Sequence, residues 1–110
     1  MEPISLTAVV DEQLSAARAA HSGRAALTVH GGHDHFLRQT VIAMAAGHEL
    51  GEHQNPGEAT LQVLRGHVRL SVGDDSYAGS TGDYLVIPPQ RHALLAVEDS
   101  AVLLTVLADR

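Results

Sequence analysis

Residues 47–66 read GHELGEHQNPGEATLQVLRG. The tripeptide Asn55-Pro56-Gly57 in the middle of this stretch is a strong turn signal. The residues that follow it, 60–64, have the apolar character of a short strand. Five residues separate Gly47 from His53, so a histidine stands between a glycine turn and the Asn-Pro-Gly turn. The stretch therefore predicts a polar turn followed by a strand.

Short apolar runs separated by turn residues extend from Arg24 to the end of the chain. Val68, Leu70 and Val72 alternate with polar residues as in a half-buried strand, and residues 73–75 then form a hairpin-like turn. The other predicted strands cover residues 25–30, 36–45, 84–87, 94–97 and 101–107. This density of short strands and turns predicts an antiparallel sandwich or barrel.

One helix is predicted ahead of the strands, over residues 11–22. Asp11 suits the N-cap, Leu14 and Ala17 recur at helical spacing, and Gly23 suits the position after the helix end. The helix is rich in alanine and buries little area, so we expect it to pack outside the sheets. Residues 1–23 would then form an N-terminal extension, and residues 24–110 the barrel of a single domain spanning 1–110.

The spacing in residues 47–66 resembles the first motif of the cupin family. That motif is Gly, five residues, His-x-His, three or four residues, Glu, six residues and Gly. The corresponding positions in this chain are Gly47, His53, Asn55, Ala59 and Gly66.

The second cupin motif is Gly, five residues, Pro-x-Gly, two residues and His. Five residues separate Gly82 from Pro88, and three separate that proline from His92. This last segment is one residue shorter than in the family, and Gln90 replaces the glycine. The resemblance covers roughly residues 36–107. It implies a small single-domain cupin, an all-β, double-stranded β-helix that is a jelly-roll-like antiparallel barrel.

The resemblance also implies where a metal would bind. Metal-binding cupins use two histidines and a glutamate from the first motif and a histidine from the second. His53 and His92 retain two of these ligands, whereas Asn55 offers only an amide and Ala59 offers none. Protein sites for transition metals usually supply at least three ligands, so we prefer the interpretation without metal. The alternative cofactor is a divalent transition metal, Fe, Mn, Ni or Zn.

Replacement ligands would come from neighbouring segments. Glu58 precedes Ala59, although strand alternation turns it the other way. His33 and His35 belong to a glycine-containing segment that would need to cross the barrel mouth, and we prefer to assign them to a surface loop. His48, in the loop before His53, is open to the same two interpretations.

We expect His53 and His92 to share a ligand pocket, with one as a general base and the other as a hydrogen-bond donor if chemistry occurs. The candidate polar groups of this pocket are Gln39, Asn55 and Tyr84, and the candidate apolar walls are Met44, Leu61 and Leu94. All of them depend on strand register, because a slip of one residue turns every side chain to the other face.

Three functions are compatible with this pattern. The preferred one is a cupin that binds a small, partly apolar molecule inside the barrel. The first alternative is a metal-dependent, dioxygenase-like enzyme using His53, His92 and a non-standard ligand. The second is a regulatory or stress-response accessory module that acts through protein contacts. The fold does not choose among them, because cupin barrels host unrelated functions.

The amino-acid composition limits the kinds of partner that this chain can bind. The net charge is −6, and the seven basic residues are all arginines scattered along the chain. Such a chain has no basic stripe for nucleic acid or an anionic membrane. Cysteine is absent, and the N-terminus does not resemble a signal peptide, so we expect a cytoplasmic protein. A domain of 110 residues is small, and we expect a homodimer, by family habit with a strand exchanged near residues 25–30.

Overall fold

The computed structural model describes residues 2–53 and 57–107, with the backbone alone for residues 52 and 53. These residues form one helix and nine strands. The helix is α1 (Leu6–Ala19), and the strands are β1 (Arg24–His30), β2 (Leu37–Met44), β3 (Glu49–His53), β4 (Ala59–Arg65), β5 (His67–Val72), β6 (Asp75–Ser80), β7 (Tyr84–Ile87), β8 (His92–Ala96) and β9 (Ser100–Leu107).

The strands form two antiparallel sheets. The five-stranded sheet has the order β1-β2-β9-β4-β7, and the four-stranded sheet has the order β3-β8-β5-β6. Alternate residues of both sheets point inward into one apolar core, whose buried members are Met44, Ala59, Leu61, Val63, Val68, Leu70, Ile87, Leu94, Ala96 and Val102. The predicted all-β, jelly-roll-like barrel is confirmed.

Helix α1 packs on the outer face of the five-stranded sheet. Val10, Leu14 and Ala17 are buried there against Val41 and Ala101, so the predicted helix outside the barrel is confirmed. Within the described residues, no helix is long and apolar enough to cross a bilayer.

The predicted helix bounds are wrong. The helix begins five residues earlier, because Ser5 is the N-cap and its side chain accepts a hydrogen bond from the Ala8 amide. Asp11 lies inside the helix, where its carboxylate accepts a hydrogen bond from Arg65 at 2.6 Å. Residues 5–11 contain three residues of the types that cap helices, Ser5, Thr7 and Asp11, and the first of them is used.

The strand register creates two different ends of the barrel. We call the end where β3, β7 and β9 finish and β4 and β8 begin the mouth end. The opposite, closed end is crossed by backbone hydrogen bonds: the Gly47 amide donates to Ala96, and the Ala96 amide donates to His48. A further amide, from Val97, donates to the carbonyl of His67.

Asp99 ties the closed end to the helix. Its carboxylate accepts hydrogen bonds from the Ala46 amide at 2.8 Å and from Arg18 of α1 at 2.7 Å. These two interactions hold the pKa of Asp99 below its ordinary value of 3.8, the backbone hydrogen bond contributing most. The link joins α1, the β2–β3 turn and the β8–β9 turn.

Candidate functional site

His92 begins strand β8 at the mouth end, and the antiparallel register pairs it with His53 of β3. A register shift separates this pair from the one at Leu50. The two motif histidines, 39 positions apart in the sequence, therefore stand opposite each other on neighbouring strands.

The His92 ring is 2% exposed. Its Nδ1 lies 2.9 Å from the Gln90 carbonyl oxygen. Because a carbonyl oxygen only accepts hydrogen bonds, Nδ1 carries the hydrogen, and in the neutral ring Nε2 carries the lone pair. The segment before β8 thus sets the tautomer of a buried imidazole.

His92 lines a narrow cavity in the barrel interior. The other lining side chains, among the residues that the structure describes, are all aliphatic: Ile42, Leu50, Leu61, Leu70, Ile87, Leu94 and Leu104. Three of them, Ile42, Leu50 and Leu104, are only partly buried, so solvent reaches this part of the core. The cavity has a volume of ≈20 Å³, which is room for about one water molecule.

A larger groove of ≈640 Å³ lies on the outer face of the five-stranded sheet at the mouth end. Its lining is mostly apolar and comprises Leu37, Gly57, Glu58, Ala59, Thr60, Val86, Ile87, Pro89, Thr105, Val106 and Leu107. Ile87 lines both the groove and the inner cavity. The mouth end therefore has two concave surfaces, one on each side of the same sheet.

The structure brings together part of the predicted pocket. Leu61 and Leu94 line the cavity with His92. Met44 is buried in the same core but lies at the other end of β2, where it pairs with Ser100. Asn55 lies outside the described residues.

The prediction that Gln39 and Tyr84 face this pocket is wrong. Gln39 lies on the outer face, where its side-chain amide donates to Thr105 at 3.2 Å. Tyr84 is exposed, and the next residue along β7, Leu85, is the one that packs into the core. Both predictions missed the register by one residue, which reverses the face.

The proposed replacement ligands also lie elsewhere. Glu58 is exposed and lines the outer groove instead of the cavity. The His35 ring is exposed and lies edge-to-face with His30, their centroids 4.7 Å apart. His48 lies at the closed end, where a Cβ on Gly23 would meet its ring. None of these three side chains lines the cavity beside His92.

The described residues of the cavity do not fit a metal. Ala59 is buried in the core at the position where the family motif has a carboxylate. Across the described part of the chain, no three His, Asp or Glu side chains are grouped so that they could hold an ion. With one imidazole in an aliphatic wall, the described lining lacks both the ligand number and the negative charge of a transition-metal site.

Five lining residues were not predicted: Ile42, Leu50, Leu70, Ile87 and Leu104. Leu70 carries a clear signal, because it is the middle residue of an alternating run whose face is unambiguous. Ile42, Ile87 and Leu104 lie in runs with apolar residues at consecutive positions, where alternation does not mark the inner face. Leu50 stands alone between Glu49 and Gly51, so no pattern marks it.

The sequence of residues 40–107 matches the family model of the cupin domain. The chain belongs to the cupin family. The match includes His53 and His92, and it excludes α1 and β1. Among proteins with curated functions, none matches this cupin in sequence.

Solved structures similar to this cupin include a conserved protein of unknown function from Streptococcus pyogenes. It is 28% identical, with a TM-score of 0.72 over 83% of this chain and 79% of that chain. An RmlC-like cupin from Desulfovibrio desulfuricans is also 28% identical, with a TM-score of 0.67 over 76% and 81%.

Salicylate 1,2-dioxygenase from Pseudaminobacter salicylatoxidans is 18% identical, with a TM-score of 0.76 over 91% of this chain and 33% of that chain. This last likeness concerns the fold alone.

Proposed function

We propose that this cupin binds a small, largely apolar molecule at the mouth of its barrel, with His92 holding the polar group of that molecule. The observation that carries the proposal is the buried imidazole of His92 among described lining residues that are otherwise all aliphatic. Ligand sites have this composition, because apolar walls supply affinity and a few polar groups fix orientation.

The tautomer of His92 narrows the ligand class. With Nδ1 donating to Gln90, Nε2 is an acceptor, so it favours a ligand that donates a hydrogen bond. A carboxylate would lose its hydration against aliphatic walls, which is costly without a cationic partner. A neutral alcohol or phenol donates a hydrogen bond and carries no charge, so it suits this site.

The size of the cavity requires side chains to move. A cavity of ≈20 Å³ is too small for an aromatic ring. Two of its lining residues, Leu50 and Leu104, are only partly buried. Rotation of two such side chains is the least disruptive way to admit an aromatic ring, because it leaves the fully buried core in place. We assign His53 and Asn55, which precede β4, to the same site as further polar groups.

Binding is favoured over catalysis by the described lining. General acid–base catalysis needs a second titratable group near the reacting atoms, and among the described residues His92 is the one titratable group that lines the cavity. A ligand held by one hydrogen bond and an apolar wall would be bound without being converted.

Calorimetry with phenol, p-cresol, benzyl alcohol and benzoate tests the proposal on protein made without a His-tag. We expect the neutral compounds to bind and to raise Tm, since a ligand at 100 times its Kd stabilises the folded state by about 2.7 kcal/mol. His92→Leu should abolish this effect, whereas the matched variant His67→Leu, on strand β5, should retain it. Equal binding by both variants would place the ligand elsewhere.

Metal analysis of the same preparation tests the enzyme alternative. Stoichiometric Fe, Mn, Ni or Zn that disappears in His92→Leu would contradict the binding proposal and support a metal-dependent enzyme. If the protein binds neither metal nor any of the four compounds but copurifies with a protein in stoichiometric amounts, the accessory-module alternative is supported.

A further inference from the structure

The hairpin that joins β1 to β2 carries a group of histidines outside the barrel. Residues 30–35 read His-Gly-Gly-His-Asp-His, and all three of these histidines are exposed. His30 is the last residue of β1, and His35 lies two residues before the start of β2. None of the three lines the cavity beside His92. The hairpin is therefore separate from the ligand site proposed above.

The turn of this hairpin brings two of the histidines together. The rings of His30 and His35 lie edge to face, with their centroids 4.7 Å apart and their planes at 72°. The His35 amide donates to the Gly32 carbonyl at 3.3 Å, which closes the turn between the two rings. At Gly32, the one described atom within 4 Å of an added Cβ, apart from the adjoining residues, is Nδ1 of His35 at 3.9 Å. Glycine therefore leaves space open beside that nitrogen.

The distance between the two rings suits neighbouring ligands of one metal ion. A metal ion lies about 2.0–2.1 Å from an imidazole nitrogen, and so roughly 3.2 Å from the ring centroid. Two rings that bind one ion at an angle of about 90–110° then have centroids roughly 4.5–5.2 Å apart. The observed 4.7 Å lies within this range. Both rings are exposed and the χ2 torsion of histidine is broad, so each ring can turn a nitrogen towards a shared point.

A register shift keeps the arginine of this hairpin away from the ring pair. The pairing of β1 with β2 shifts after Thr28, so that His30 stands opposite Gln39; without the shift it would stand opposite Arg38. Because neighbouring residues of a strand point to opposite faces, Arg38 lies on the other face, where its Cγ would be 3.4 Å from a Cβ on Gly31. A guanidinium beside the rings would repel a metal ion, whereas the net charge of −6 on the whole chain attracts one.

We propose that His30 and His35 form an exchangeable binding site for a divalent transition-metal ion on the surface of this cupin. Imidazole suits Cu²⁺, Ni²⁺ and Zn²⁺, and the affinity of a nitrogen site is highest for Cu²⁺. No group of three ligands occurs among the described residues, so the two imidazoles leave the other coordination positions of the ion to water. Such an ion is held more weakly than in a closed site with four protein ligands, and it exchanges with solution.

Calorimetric titration of the chain, made without a His-tag, with Cu²⁺ tests the proposal in a buffer that contains glycine as a competing ligand. At about pH 7.5 an ordinary imidazole is neutral and free to bind, and we expect one Cu²⁺ per chain. His30→Ala and His35→Ala should each weaken binding at least about 10-fold, because the second imidazole no longer acts at a millimolar effective concentration. The matched variant His21→Ala, at another exposed histidine, should leave the affinity unchanged.

Two spectroscopic measurements locate the bound ion. Electron paramagnetic resonance should give a tetragonal Cu²⁺ signal with coupling to two imidazole nitrogens. In ¹H–¹⁵N spectra of the wild type, the paramagnetic ion should broaden the amide signals of residues 28–39 first and leave those of strand β8 sharp. Far-UV circular dichroism checks that every variant is folded.

Three outcomes would overturn the proposal. One is a wild type that binds Cu²⁺ no more tightly than the double variant with His30→Ala and His35→Ala. The second is a loss of binding in His33→Ala while His30→Ala binds as the wild type does, because the site would then consist of the two histidines that follow the glycines. The third is a loss of binding in His92→Leu alone, which would place the ion in the barrel.

Discussion

The two ends of the barrel are built from different interactions. At the closed end, the turns approach one another so closely that glycine and buried hydroxyl groups are required. Asp99 also connects these turns to the helix by hydrogen bonds. At the mouth end, His92 stands among aliphatic side chains with a small void beside them. We infer that the interactions at the closed end stabilise the fold. The residues at the mouth end are then less important for stability and can serve function.

Gly66 and Ser100 show how tightly the closed end is packed. Gly66 has a φ of +95°, and a Cβ there would lie 2.5 Å from the Asp99 carbonyl oxygen and 2.8 Å from the Ser100 Cα. The Ser100 hydroxyl, fully buried, lies 3.0 Å from the His67 amide and 2.7 Å from the Glu98 carbonyl. The Ser100 hydroxyl lies closer still to such a Cβ, and since Ser100 is fully buried and its Cα is also in contact, neither can move away easily.

The largest effect is expected from Gly66→Ala at the closed end. The new methyl would press on backbone atoms, so we expect a loss of at least about 3 kcal/mol in the free energy of unfolding, or no folding. Gly82→Ala is the matched control, because its φ is +93° and nothing lies within 4 Å of the added Cβ; strain alone costs about 1–2 kcal/mol. Urea denaturation of both variants measures the difference. Equal losses would show that crowding at Gly66 is unimportant.

Ser100→Ala should have the next largest effect. It removes the hydroxyl that the His67 amide and the Glu98 carbonyl use as their partner, at a cost of about 2 kcal/mol. Ser76→Ala is the control, since its hydroxyl accepts one hydrogen bond from Arg69 at the surface, and we expect a change below about 0.5 kcal/mol. A Ser100→Ala variant as stable as the control would contradict the assignment of the closed end as the stabilising end.

Asp99→Asn should have a smaller effect that depends on pH. Because the pKa of Asp99 is lowered in the folded state, its charge stabilises the protein above pH 3.8, and this contribution is lost as pH falls through the folded-state pKa. The side chain is 38% exposed, so solvent screening limits the loss in Asp99→Asn to under about 1 kcal/mol at pH 7. Unfolding measured from pH 7 to pH 2 should show the two proteins converging at acid pH. A constant difference across this range would argue against the charge as the cause.

The smallest effect on stability is expected at the mouth end, from His92→Leu. Leucine suits the aliphatic lining, and the Gln90 carbonyl belongs to an exposed residue that water can reach. Replacing a buried polar group by an apolar one of similar shape is often nearly neutral, so we expect a change within about 1 kcal/mol. A much larger loss would show that His92 serves the fold and would weaken the comparison of the two ends.

Much of the fold was predictable because it depends on local patterns. Turn residues, short alternating runs and the two glycine-histidine spacings indicated an all-β cupin with a helix outside. The glycines of these motifs sit at tight turns, and Gly66 shows why: its position excludes a side chain both by φ and by contact. Leu61 and Leu94 could be predicted beside His92 because they follow strand alternation from the motif residues.

The sequence alone determined the family and the strand-rich architecture, since spacing and turn chemistry are properties of the chain itself. Tertiary structure alone decided the faces of Gln39 and Tyr84, the separation of His48 from the mouth and the small volume beside His92. The physical reason is that these features depend on register and on packing between distant strands. A shift of one residue reverses a face without changing any local preference.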